Sequence, residues 1–290
     1  MHPLALSLID SRRGLLLTKS RCPLFLCVLC TTLLTLLPLH LSASSWQPLD
    51  QGLEVLVVPF EGVEQAITIV RIDPEHFHFF LCTAAAEQSS SRTLREWAVE
   101  KDLACVINAS MYLTDGRTST GYMRQGPHVN NPRISRRFGA FFVAHPDRTG
   151  LPEVDILERD TADLPEILKH YELVVQNYRL ISRDQRILWP KAADRHAVAA
   201  VGVDTHGSVL FIFCRTLVTP HALAQELLTL PLQLRSAMYV EGGSQAGLFV
   251  RAHTKGKDMQ RFPFLDFEPE LPNVLGIRRK TSAAPAAREP

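Results

Sequence analysis

Three polar clusters end or begin apolar stretches of the chain, and each carries a group able to act on an anionic substrate. The first is Glu241-Gly242-Gly243-Ser244, between the apolar runs 238–240 and 248–250. Adjacent glycines permit positive φ and let a ligand approach the main chain, while Glu241 supplies a carboxylate fixed by the preceding strand. The second is Asn108-Ala109-Ser110-Met111-Tyr112, where the short apolar run 103–107 stops. The third is Arg195-His196, at the start of the apolar run 197–203. A carboxylate, an amide and an arginine suit a polar, anionic substrate. Arg195 is able to grip a phosphate through two parallel hydrogen bonds, and His196 is able to carry a proton. The plainer alternatives are a Gly-Gly hairpin turn with a solvated Glu241, and Arg195 as a solvated charge at a strand start.

Between the second and third clusters lies a polar stretch, 114–132, interleaved with Gly121, Tyr122, Met123 and His128. A loop of that length inside a domain is usually functional or disordered, and its aromatic residues, with Tyr112, suggest an ordered lid or binding wall. Gly242-Gly243-Ser244-Gln245-Ala246 also approximates a serine nucleophile elbow. That chemistry needs a strand–turn–helix context and a later Asp and His. His253, Asp258 and Asp266 do follow, but 247–250 reads as strand.

The bulk composition narrows the field. The chain has 290 residues, 46% of them hydrophobic, and a net charge of +1 with no long basic block, so nucleic acid is not an expected partner. Neither a P-loop nor G-x-G-x-x-G occurs, and no nucleotide cofactor is expected. The six cysteines fall as Cys22, Cys27 and Cys30 near the start and Cys82, Cys105 and Cys214 in strand-like runs. None forms a zinc-type pair with a matching His or Cys pair. Buried thiols are expected in the body, with one disulfide possible. His76 and His78 alternate along 77–82, but Phe77, Phe79 and Phe80 around them favour packing over metal binding, and no metal site is expected.

The elements that would position these residues are mostly strands. Runs at 53–59, 66–72, 77–82, 103–107, 138–144, 173–176, 180–182 and 273–277 read as β. The pair 197–203 and 209–214 reads as a hairpin over Asp204-Thr205-His206-Gly207. Thr93 with Glu96 forms a capping box before a helix carrying Leu94, Trp97 and Ala98 on one face. Asp163 is placed to cap a short helix using Leu164, Ile167, Leu168 and Tyr171. Thr219-Pro220 opens a helix using Leu223, Leu227 and Leu230. The expected fold is one α+β domain, with a large mixed sheet flanked by a few helices, over residues 46–278. Residues 279–290 form an Ala/Pro-rich tail expected to be disordered.

Residues 1–45 read as a signal peptide or N-terminal membrane anchor. Arg12, Arg13, Lys19 and Arg21 precede the uncharged apolar run 23–41, and Ser42-Ala43-Ser44-Ser45 follows. That order predicts export to a periplasmic or secreted location, with membrane contact only through this segment if it is uncleaved.

At the three clusters the sequence resembles the phosphodiester glycosidase domain family. Residues 108–112 look like its strand end of Asn, two small residues and an aromatic, and Gly121-Tyr122 falls at its following glycine. Residues 195–207 look like its Arg-containing hairpin, 238–244 like its apolar strand ending in Asp-Gly-Gly/Ser-Ser, and 272–274 like its closing strand. The likeness runs from about 53 to 278. Two positions depart: Glu241 stands where the family more often has Asp, and Asn177-Tyr178-Arg179 replaces a more usual Ser-Gly-Pro.

The resemblance implies hydrolysis of a sugar-1-phosphodiester at the glycosidic bond, with a phosphorylated sugar or glycan as substrate. On that reading Glu241 is base or nucleophile, Arg195 holds the phosphate and Asn108 orients the substrate. Tyr112, Gly121, Tyr122, His128, His196, Gly242, Gly243 and Ser244 line the substrate. The alternatives are a non-catalytic glycan-binding module and a serine hydrolase using Ser244.

Overall fold

The computed structural model describes residues 45–251 and 268–281, with the backbone of three two-residue strands between them. The proposed signal or anchor segment and most of the C-terminal tail lie outside the described residues.

In chain order the strands begin with β1 (Gln47–Asp50), β2 (Leu53–Phe60), β3 (Val63–Ile72), β4 (Phe77–Thr83), β5 (Cys105–Asn108), β6 (Met123–Gln125) and β7 (His128–Asn131). They continue with β8 (Ala140–Pro146), β9 (Val154–Glu158), β10 (Tyr171–Asn177), β11 (Arg179–Ile181), β12 (His196–Asp204), β13 (Val209–Val218), β14 (Leu234–Gly242) and β15 (Leu248–Val250). The short β16 (His253–Thr254), β17 (Lys257–Asp258) and β18 (Arg261–Phe262) precede β19 (Asn273–Arg279). The helices are α1 (Leu94–Glu100), α2 (Leu164–Lys169) and α3 (Pro220–Thr229).

Three sheets share one core. Their orders are β1-β2-β3-β13-β12-β14-β11, β7-β6-β10-β8-β9 and β18-β15-β5-β19-β4. Their inner faces meet through residues such as Val70, Phe79, Ile107, Phe142, Val175, Val201, Phe211, Met238 and Leu275. Each outer face is covered by one helix: α3 on the first sheet, α2 on the second and α1 on the third. This explains the near-continuous apolar runs. In β12, Ala197, Ala199, Val201 and Val203 face the common core, while Val198 and Ala200 face the α3 side. Both faces of the strand are buried, so alternation is lost.

The expected single mixed sheet is corrected here: strand dominates, and among the described residues the paired strands are antiparallel, divided over the three large sheets and a small β16-β17 pair. Consecutive elements joined by short turns pair as hairpins, so no parallel crossover is needed. The 114–132 stretch also holds more structure than expected, because β6 and β7 pair across Gly126-Pro127. Strands β1 and β9 were not foreseen. The Thr93–Glu96 capping box forms as expected, with both reciprocal bonds. Asp163 occupies its cap position in the left-handed region at φ 53° and makes no side-chain cap. Cys82, Cys105 and Cys214 are free thiols, and burial pushes the Cys82 thiol up to about 11.

Candidate active site

The run 238–250 is not a hairpin. β14 lies in the seven-stranded sheet, whereas β15 pairs with β5 in another sheet. The Gly-Gly segment therefore crosses between sheets, as a single 3-10 turn, Gly243–Gln245, with Gly243 at φ 70°. Just before the crossing, Ala200 pairs with Tyr239 and Ala199 with Glu241, so Val240 is an extra residue in β14. A bulge of this kind re-aims the neighbouring side chain. Its carbonyl is satisfied by Asn177 Nδ2 at 3.1 Å, which gives the unusual Asn177 a structural task.

Glu241 is only 8% exposed. Its Oε1 accepts one hydrogen bond, from Gly242 N at 2.9 Å, and no cation pairs with it among the described residues. Loss of water is the largest influence on it and raises the carboxyl to about 7, partly opposed by the Gly242 hydrogen bond. Tyr112 and Tyr239 are raised first by burial and then by the Glu241 charge, which puts both phenols in its field.

The rest of the crossing is pinned by side chains that the sequence analysis singled out. Asn108 Nδ2 donates to the Gln245 carbonyl at 2.8 Å, and its Oδ1 accepts from Gly247 N at 2.8 Å. Asn108 is 1% exposed, so in this arrangement it positions the crossing rather than presenting its amide to solvent. Tyr112 Oη donates to Gln245 Oε1 at 3.0 Å. At Gly242 an added Cβ would lie 2.1 Å from Tyr239 Oη and 2.7 Å from the His196 ring, so only glycine fits between them. His196 Nδ1 lies 2.8 Å from the Ala197 carbonyl, which makes Nδ1 the donor and leaves Nε2 as an acceptor. Ser244 is exposed, and no hydrogen bond is made to its hydroxyl among the described residues; the strand that follows it is not the helix a nucleophile elbow requires.

The structure thus gathers Glu241, Asn108, Tyr112, His196, Gly242, Gly243 and Ser244 around one crossing. Four other candidates stand apart by their contacts. Arg195 is half exposed and ion-paired with Glu61 on the β2–β3 turn. His128 Nε2 meets Thr83 Oγ1 at 3.3 Å. Gly121 allows close packing, since a Cβ there would lie 2.5 Å from the Gln176 carbonyl, while Tyr122 packs in the α2 layer. Sequence reasoning overlooked Trp189, whose ring lies 4.6 Å from that of Tyr239 and 5.3 Å from that of Tyr178. An aromatic in the polar stretch 183–195 was the available signal.

The family model described as phosphodiester glycosidase matches residues 101–278. The chain belongs to the phosphodiester glycosidase family. No curated protein sequence matches it. Among solved structures, a hypothetical protein from Synechocystis is similar with TM-score 0.55 and 12% identity, covering 81% of this chain and 63% of the other. The zebrafish N-acetylglucosamine-1-phosphodiester alpha-N-acetylglucosaminidase catalytic domain, auto-inhibited by its pro-peptide, has TM-score 0.50 and 13% identity, with 82% of each chain covered. A Burkholderia pseudomallei K96243 protein has TM-score 0.52 and 10% identity, covering 78% of this chain and 74% of its own. At these identities the likeness concerns the fold. This family member spans less than two thirds of the Synechocystis chain.

Proposed function

We propose that this protein hydrolyses the glycosidic bond of a sugar-1-phosphodiester, releasing a free sugar and a phosphomonoester, with Glu241 as the reactive carboxylate. The observation that carries the reading is the dehydrated state of Glu241, which among the described residues has one backbone N–H and no cation, with its carboxyl raised to about 7. A structural carboxylate would ordinarily have a charged partner, and perturbed groups concentrate where chemistry occurs. Family membership supplies the reaction class.

Most glycosidases use two carboxylates, one of them to protonate the leaving group. Among the described residues, no second carboxylate acts on Glu241. A phosphomonoester is an acidic leaving group, which lowers the need for that proton. Ionised Glu241 either attacks the anomeric carbon or takes a proton from the water that does. The bond to the phosphate oxygen breaks, and its electron pair leaves with the phosphate. His196 Nε2 is the nearby proton carrier, Asn108 holds the crossing in place, and Tyr112 borders the carboxylate. The phosphate falls to Arg195, which would first have to leave Glu61.

The pH profile tests the role. As base or nucleophile, Glu241 must be ionised, so turnover should rise through about pH 7 to a plateau. Glu241→Gln should lower turnover by roughly two orders of magnitude or more while retaining substrate binding. A profile that falls above pH 7 would reassign Glu241 as the general acid, and full activity in the variant would remove it from the chemistry.

A non-catalytic glycan-binding module is the second reading, favoured by the partly exposed rings of Trp189 and Tyr178, packed on the buried Tyr239, as a stacking surface. Saturable binding of a sugar phosphodiester with no turnover at any pH would support it. We also propose export, on the basic flank and the apolar run 23–41. A reporter fused after Trp46 should be active only across the membrane, and cytoplasmic activity would contradict this.

A further inference from the structure

A second cluster of ligating side chains lies where the third sheet meets the second. β4 is an outer strand of its sheet, so one row of its backbone groups lacks a strand partner. Side chains from the second sheet cover that row. Gln125 Oε1 accepts from Leu81 N at 2.9 Å, and His145 Nε2 lies 2.7 Å from the Phe79 carbonyl. A positive φ of 59° at His145, near the end of β8, accompanies this placement.

Because a carbonyl only accepts, His145 Nε2 carries a proton there, and Nδ1, which donates to the Glu153 carboxylate, would give up that proton to a metal. A backbone acceptor at Nε2 fixes the ring as it does in metal-binding imidazoles. Nδ1 lies 3.1 Å from Glu153 Oε1. The His78 ring stands across from it on β4, with ring centroids 5.5 Å apart. One ligand atom from each of His78, His145 and Glu153 lies within 4.8 Å of the other two. With metal–ligand bonds of about 2.0–2.2 Å, tetrahedral ligand atoms lie roughly 3.3–3.6 Å apart. The His145–Glu153 pair is already close to that separation, and the exposed His78 has room to turn inward.

We infer that His78, His145 and Glu153 form a binding site for a divalent transition metal, Zn2+ foremost, with the fourth position left to water. Two imidazoles and one carboxylate suit Zn2+, Ni2+ or Cu2+, whereas Mg2+ and Ca2+ prefer oxygen ligands throughout. Lys280 and Glu172 also act on His78. The ammonium opposes a cation, and Glu172, held at 2.7 Å by Gln125 Nε2, offsets it. The ligands come from β4 on one side and from β8 and the residue before β9 on the other, so a bound ion would join two sheets. Binding to the folded form alone would raise its stability with metal concentration. Sequence alone missed the site because His78 sits among phenylalanines, and its partners are distant in the chain.

Calorimetric titration of untagged, metal-free protein with Zn2+ and with Mg2+, alongside thermal melts, tests the site. One Zn2+ per chain should bind, with a melting temperature that climbs with Zn2+ and not with Mg2+. His78→Gln and Glu153→Gln should each weaken Zn2+ binding by at least about tenfold. Both side chains are exposed, so the metal-free variants should melt like the parent, which separates loss of the site from loss of the fold. If a variant does melt early, Co2+ absorption of the parent still decides, since a four-coordinate histidine site gives an intense visible band. Failure of Zn2+ to bind one-to-one would leave a His145–Glu153 ion pair only. Unchanged affinity in both variants would place the ion elsewhere. Either result overturns the inference.

Discussion

Strand β9 and the end of β14 each bury carboxylates, and they treat them in opposite ways. On β9, Asp155 is 4% exposed and takes Arg183 Nη2 at 2.6 Å, an Arg235 contact and the Ile156 N–H. Glu158 takes Arg179 Nη1 at 2.7 Å and Arg183 N at 2.8 Å. At the end of β14, Glu241 is buried to the same degree as Glu158 and keeps a single backbone N–H. The fold therefore has the means to neutralise buried acids and does so where the acid only links elements. Among the described residues, what sets Glu241 apart is its missing counter-charge rather than its burial, and that condition suits a group that must change protonation or attack a carbon.

The contrast can be broken or sharpened by substitution. The largest effect is expected for Asp155→Ala, which leaves two arginines facing an empty position. Stability should fall by about 3 kcal/mol, at the low end for a broken buried pair because both arginines are partly solvated. Denaturant titration at fixed pH measures this. For Glu241→Gln the sign reverses. Below pH 4.5 the wild-type carboxyl is protonated in both states. Between 4.5 and about 7 only the unfolded chain ionises, so wild-type stability declines with rising pH. Above pH 7 the variant should therefore be more stable than wild type by roughly 3 kcal/mol, with no gain in acid. Melts across pH would show the two curves converging at low pH. Parallel curves would mean that Glu241 is not dehydrated.

Gly242→Ala comes next. Its Cβ would collide with Tyr239 Oη and the His196 ring, costing about 1–3 kcal/mol and displacing the groups beside Glu241. Equilibrium unfolding combined with turnover reads both consequences. The smallest stability change belongs to Arg195→Ala, under about 1 kcal/mol, since its pair with Glu61 is solvent-exposed. Here the kinetics carry the information. A raised KM for a phosphodiester substrate supports a phosphate contact, and unchanged kinetics assign that contact to another residue.

Locally encoded features were legible in the sequence. The Thr93–Glu96 capping box and the β12–β13 hairpin both formed. Asp204, two residues before His206 and four before Ser208, accepts both backbone N–H groups at 2.9 Å. Features set by partners far along the chain were not legible. β9 was overlooked because Asp155 and Glu158 make it look like a surface strand, until the arginines of other strands are placed beside them. The hairpin alternative for the Glu241 segment stayed open because nothing near residue 248 announces that it pairs with β5. Asn108 and Glu241 were both singled out as polar strand ends, and the structure brings both to one crossing. The hydrogen bonds that make Asn108 a clamp on that turn depend on geometry that the sequence does not contain.

Strands β1 to β4 precede the segment matched by the family model, yet β3 hydrogen-bonds along β13 and β4 along β19. The unit that folds is thus larger than the unit recognised in sequence. A chain begun at residue 101 would uncover two long strand edges at once, one of them beside Phe211 and Phe213. Open edges of that kind are templates for pairing with other chains. Such a shortened protein should be recovered as aggregate, and the boundary for producing a soluble body belongs before β1.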